Sequence, residues 1–146
     1  MESTPSMKHR ITSLVKVDSK GRITIPQPIR EALGIEPGML VVLIADIGRG
    51  EILVSPVATR GDKLYTFEIE FRDVAGSLAK LLSVFANAKA DILASKCASI
   101  IRGETAGCTL VVDLSPAEKS VDDIAKELEA LDIVTVVKYR RFEGFQ

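Results

Sequence analysis

Apolar residues follow two different rhythms along this chain. In the front part, Leu14-Val15-Lys16-Val17 and Ile23-Thr24-Ile25 flank Asp18-Ser19-Lys20-Gly21. That pattern predicts a β-hairpin, with Gly21 supplying a permissive backbone at the turn. Pro28 suits the first turn of a helix, Ile29 and Leu33 give it an apolar stripe, and Gly34 fits just past its end. Glu36-Pro37-Gly38 reads as a turn. Two further strands are expected at 40–44 and 51–55, joined through Gly48-Arg49-Gly50. Residues 10–57 therefore read as a β-rich module with one short helix. The stretch PVATRGDK that follows has little apolar content and holds a Pro and a Gly, which places a linker at 58–63.

The second rhythm starts at Leu64. Tyr65, Phe67, Ile69 and Phe71 alternate with Thr66, Glu68 and Glu70, as in a strand with one buried face. Leu78, Leu81, Leu82 and Phe85 recur at helical spacing behind Ser77, the expected N-cap. Strands are expected at 92–102 and from Cys108 to Leu114. A second helix carries the stripe Val121, Ile124, Ala125, Leu128 and Leu131. Its start is signalled twice, by a capping box over Ser115-Pro116-Ala117-Glu118 and by Ser120. A last strand is expected at 134–139. The order β-α-β-β-α-β predicts an α+β ferredoxin-like sandwich over 64–141, with both helices on one sheet face. The opposite sheet face stays uncovered. The front module is near the size at which oligomerisation is usually needed. Both points imply a homodimer or a higher assembly.

With 47% hydrophobic residues the chain is expected to fold. It has no apolar run long enough for a membrane span, and its first ten residues lack the apolar core of a signal peptide. The expectation is a cytoplasmic protein with no membrane partner. The net charge of −1 hides an asymmetry. Through Arg30, six bases stand against Glu2 and Asp18, a net of +4, so the rest of the chain sums to −5. A basic front end on an acidic body suits a nucleic-acid partner.

Cys97 and Cys108 read as small, half-buried apolar side chains, with a redox switch as the sharper alternative. The one histidine, His9, leaves a zinc site almost without ligands, so no metal and no cofactor are expected. No nucleophile–base pair, paired carboxylates or phosphate loop points to an enzyme.

The stretch Val17-Asp18-Ser19-Lys20-Gly21-Arg22-Ile23-Thr24-Ile25-Pro26 resembles the signature of the AbrB/MazE/SpoVT swapped-hairpin family. Ile29-Arg30-Glu31-Ala32-Leu33-Gly34-Ile35 and Glu36-Pro37-Gly38 continue the resemblance. It implies a homodimer with interleaved hairpins that presents basic side chains to double-stranded DNA. Lys16, Lys20, Arg22 and Arg30 are the candidates for that surface, with Arg22 for base edges and the lysines for phosphate. Glu31 is a departure, because DNA-binding members often carry a second base there. The family also includes antitoxins whose main partner is a toxin protein. Residues 64–141 resemble the ACT domain, a module that commonly binds amino acids or related small effectors. The resemblance rests on topology and on Asp73-Val74-Ala75-Gly76-Ser77-Leu78. It implies a ligand loop formed by Asp73, Val74, Ala75, Gly76 and Ser77. Helix-start amides would hold a carboxylate, and Asp73 an ammonium group. The far wall, often from a second subunit, would lie at Asn87, Asp91 and Ile92. Two readings stay open: a transcriptional regulator that senses an effector, and an antitoxin-like or DNA-associated assembly protein whose ACT-like part only oligomerises. The closing Lys138-Tyr139-Arg140-Arg141-Phe142 mixes bases with aromatics, which suits either nucleic acid or a strand end with a solvated tail.

Overall fold

The computed structural model describes residues 9–57 and 63–142. Most of the expected linker, 58–62, lies outside the described residues. The chain divides between Met39 and Leu40 into two compact units.

In the first unit a tight turn at Asp18 leads to helix α1 (Gln27–Leu33). Pro26 and Pro28 suit the helix entry because a proline needs no N–H partner there. Gly34 ends the helix at φ +69°, and the next amide, of Ile35, donates back to the Arg30 carbonyl at 2.8 Å. The expected strands at 14–17 and 23–25 form no ladder within the chain. Only the turn between them closes, with the Asp18 amide donating to the Arg22 carbonyl at 2.9 Å. The physical reason is exposure. Leu14, Val17 and Ile23 all face solvent, and α1 has no buried residue, so nothing in the unit rewards strand pairing.

The second unit begins with a hairpin, β1 (Leu40–Asp46) against β2 (Glu51–Val57). A four-stranded antiparallel sheet follows, built from β3 (Leu64–Arg72), β4 (Asp91–Ile101), β5 (Thr105–Asp113) and β6 (Val134–Arg141) in the order β4-β5-β3-β6. Helix α2 (Ser77–Asn87) connects β3 to β4, and α3 (Val121–Glu129) connects β5 to β6. Phe67, Ile69 and Phe71 of β3 and Cys108, Leu110 and Val112 of β5 form one core with Leu81 and Phe85 of α2 and Ile124 and Leu128 of α3. Phe67 anchors it, edge-on to Phe85 at 5.2 Å and stacked on Tyr139 at 5.5 Å. Among the described residues no helix is long and apolar enough to cross a membrane.

Four expectations are corrected. Ser77 is not the N-cap of α2; Gly76 is, at φ +83°, a left-handed backbone that glycine adopts without strain. Of the two signals before α3, Ser120 wins, because its Oγ accepts from the Asp123 amide at 3.2 Å. Glu118 instead pairs with Lys89 at 2.8 Å. The sheet face away from the helices is partly covered by the chain's own hairpin. Val42, Ile44 and Val57 pack there on Ala94 and Val111. Finally, Cys97 and Cys108 are not independent apolar fillers. They are direct partners across β4 and β5 and are joined in a disulfide.

Candidate functional site

Two places concentrate the candidate residues, one in each unit. The first is the turn at Asp18. Its carboxylate accepts from the Lys20 and Arg22 amides, both at 2.9 Å, and from Arg22 Nε at 2.8 Å. An aspartate that bonds its own following backbone fixes such a turn, and Gly21 supplies the positive φ of +78°. The Arg22 amide, then its guanidinium, hold the Asp18 carboxyl below its ordinary range. The same contact orients Arg22 through Nε alone, which leaves the two terminal nitrogens out of the pairing. Lys16, Lys20 and Arg22 are all exposed around this turn. Arg30 differs. It is half-buried on α1, and its guanidinium donates to the Ile25 carbonyl, so it fastens the helix to the segment before it. Gln27 Nε2 donates to Glu31 at 2.8 Å, which engages the acid that follows Arg30.

The second place is an open cavity of about 370 Å³ at the start of α2. Asp73, Val74, Gly76 and Ser77 line it, as do Leu78 and Ala79 of the first helical turn. No side chain caps α2; the Ser77 amide donates to the Val74 carbonyl at 3.1 Å, and the Leu78 and Ala79 amides of the first turn have no side-chain partner. Ser77 is only 2% exposed, and its Oγ has no hydrogen-bond partner. A buried hydroxyl of that kind costs free energy unless something satisfies it. The opposite wall comes from Cys97, Ala98 and Ser99 of β4. Asp73 is held in place by the β4–β5 hairpin tip. Ser99 Oγ donates to its Oδ2 at 2.9 Å and the Gly103 amide at 3.3 Å, while the Asp73 amide donates to the Glu104 carbonyl at 2.9 Å.

Of the residues expected at this site, Ala75 belongs to the loop but not to the wall. Asn87, Asp91 and Ile92 sit at the other end of α2, so within one chain they do not meet Asp73. Ser99, Gly103 and Cys97 were missed by the sequence reading. Only the register of β4 on β5 brings them to the loop after β3.

Residues 14–62 match the family described as antidote-toxin recognition MazE, bacterial antitoxin. An ACT domain-containing protein of Shouchella clausii (strain KSM-K16) is 32% identical over 77 residues, 53% of this chain and 52% of that protein. The front segment is thus similar to the MazE family, and about half of the chain is similar to an ACT domain-containing protein. The chain spans about half the length of the curated relative it matches. Among solved structures, that of an unknown protein from Galdieria sulphuraria superposes with a TM-score of 0.47 at 20% identity, covering 57% of this chain and 47% of that one. The C-terminal domain of the MgtC protein from Mycobacterium tuberculosis gives 0.47 at 14% identity, covering 62% and 98%.

Proposed function

We propose that the chain is a DNA-binding transcriptional regulator whose ACT-like half, a ferredoxin-like sandwich over 64–141, senses a small effector, an amino acid. The observation that carries the DNA half of this reading is the exposed cluster of Lys16, Lys20 and Arg22 on a turn fixed by Asp18, inside the segment that matches the MazE model. In a two-fold dimer of residues 10–57 that cluster doubles, and with Arg30 it gives about eight cations, enough for strong attraction to phosphates. The free fork of Arg22 suits the O6 and N7 acceptors of guanine.

The effector half rests on the cavity at α2. Uncapped helix-start amides suit a carboxylate, the Ser77 hydroxyl lacks a partner, and Asp73 offers a fixed acceptor for an ammonium group. Asn87, Asp91 and Ile92 would then come from a second copy. Effector binding between copies would change the assembly and, through avidity, the grip on DNA.

A second reading is favoured by the description of the matched family: the front module recognises a toxin protein, and the ACT-like half only oligomerises. Thermal-shift screening of the twenty amino acids, followed by calorimetry, separates the two. We expect a binder, and Asp73→Ala should weaken it by about 1–3 kcal/mol, the scale of a lost charge-assisted hydrogen bond. Full-strength binding by that variant would move the site elsewhere. No binder at all would leave the ACT-like half as an assembly device.

A further inference from the structure

The Cys97–Cys108 disulfide stands where the effector cavity meets the core. Cys108 is buried beneath the helices, whereas Cys97 is exposed on β4, an edge strand, and lines the cavity. Three paired positions separate the bond from the hairpin turn: Ala98 with Gly107, Ser99 with Ala106 and Ile101 with Thr105. The register shifts between Ser99 and Ile101, so the ladder is broken there. Beyond the disulfide, therefore, the β4 side of the tip is tied to β5 only by a short irregular ladder, whereas the β5 side stays paired with β3 as far as Thr105 opposite Arg72. That same tip supplies both donors, Ser99 Oγ and the Gly103 amide, that position the Asp73 carboxylate.

We propose that Cys97–Cys108 is a thiol–disulfide exchange site that sets the shape of this cavity and, through it, the affinity for the effector. The second clause rests on the effector reading above. The reductant is a dithiol. One of its thiolates attacks the exposed Cys97 sulfur, the S–S bond breaks, and Cys108 leaves as a thiolate that takes a proton. The second thiol of the reductant then displaces Cys97 from the mixed disulfide. Two electrons pass from the dithiol, which ends as a disulfide, to the cysteine pair. Hydrogen peroxide reverses the change. Cys97 becomes a sulfenic acid, the Cys108 thiol displaces its oxygen, and that oxygen leaves as water. The exposure pattern fits this order of events, because only one of the two sulfurs is open to attack. Reduction loosens the β4 side of the tip, so Ser99 and Gly103 hold the Asp73 carboxylate less firmly and a free Cys97 thiol stands in the wall.

The test compares the oxidised full chain, the chain reduced with dithiothreitol, and Cys97→Ser. Amide hydrogen exchange at Gly103 reads the tip, and calorimetry with each of the twenty amino acids reads the cavity. Faster Gly103 exchange is expected in the reduced chain and in Cys97→Ser, with the best-binding amino acid held about tenfold more weakly. Hydrogen peroxide should restore both readings in the reduced wild type and neither in Cys97→Ser. Faster exchange with no amino acid bound in any form supports the switch and overturns the effector reading alone. Unchanged Gly103 exchange on reduction overturns the switch, as does unchanged affinity in a chain that binds.

Discussion

The front unit and the rear sandwich are both patterned for burial, yet they treat their apolar side chains in opposite ways. In the sandwich, Phe67, Phe85, Leu81, Leu110, Ile124 and Leu128 are fully buried between a sheet and two helices supplied by one chain. In the front unit, Leu14 is fully exposed, and Val17, Ile23 and Leu33 are each more than half exposed. Polar-and-apolar alternation alone does not make a core. A strand needs a neighbour, and two short segments joined by a tight turn are marginal without a third layer. Several large apolar side chains left exposed in one small unit suit a place where another surface belongs. The front unit reads as half of a core, which fits the proposal that a second copy completes it. The hairpin β1–β2 falls between these extremes. Val42 and Ile44 are buried against the sheet, while Leu43 and Ile52 remain about two-thirds exposed.

The sharpest way to break this contrast is to cut into the completed core. Phe85→Ala should cost about 3–5 kcal/mol, because a fully buried ring is lost and leaves a cavity. Urea unfolding followed by tyrosine fluorescence measures it, and the loss should not depend on protein concentration. A loss below about 1 kcal/mol would mean that the sandwich core is not packed as described. The front unit should respond differently. Leu14→Ser removes nothing buried within one chain, so any large effect must come through association. We expect about 1.5–3 kcal/mol of weakened dimerisation in sedimentation equilibrium, the range for burying a leucine. No change would place Leu14 outside the dimer interface.

The smallest effect concerns the turn at Asp18. Its carboxyl is held below the ordinary value of 3.8, first by the Arg22 amide and then by the Arg22 side chain. With a depressed folded value, the stabilisation is complete above the ordinary value and is lost as pH falls through the lower one. Carbon-13 NMR of the Asp18 carboxyl should therefore show a midpoint under 3.8, and Arg22→Ala should raise it only part of the way. An unshifted midpoint in the wild type would mean the turn is not formed in solution.

Most of the sandwich was legible because its signals are local. Period-2 alternation from Tyr65 to Phe71 and the helical stripes through Leu81 and Ile124 each mark one element without reference to another. The β-hairpin expected around Asp18 was read correctly at its turn, where an aspartate and a glycine act within five residues, and not in its strands, where pairing needs a partner. The cap of α2 was missed by one position, because a left-handed glycine does the work that a serine hydroxyl would otherwise do. Register was the hardest part. The sequence reading starts β5 at Cys108, whereas it begins at Thr105 and turns tightly through Gly103. That turn sets Cys97 opposite Cys108 and brings Ser99 to Asp73. A hairpin read with its turn centred on Arg102-Gly103 would have paired the two cysteines directly.

The DNA half of the proposal stands or falls with the turn at Asp18. Fluorescence-anisotropy titration of duplex DNA over a range of salt concentrations tests it most directly, with wild type, Lys20→Ala and Arg22→Ala compared on specific and random sequences. Wild-type affinity should fall steeply with salt. Lys20→Ala should weaken every sequence alike and flatten the salt slope, whereas Arg22→Ala should cost about 1–3 kcal/mol on the specific site alone. Binding that neither variant changes would contradict the account, and so would the absence of salt-dependent DNA binding by the wild type.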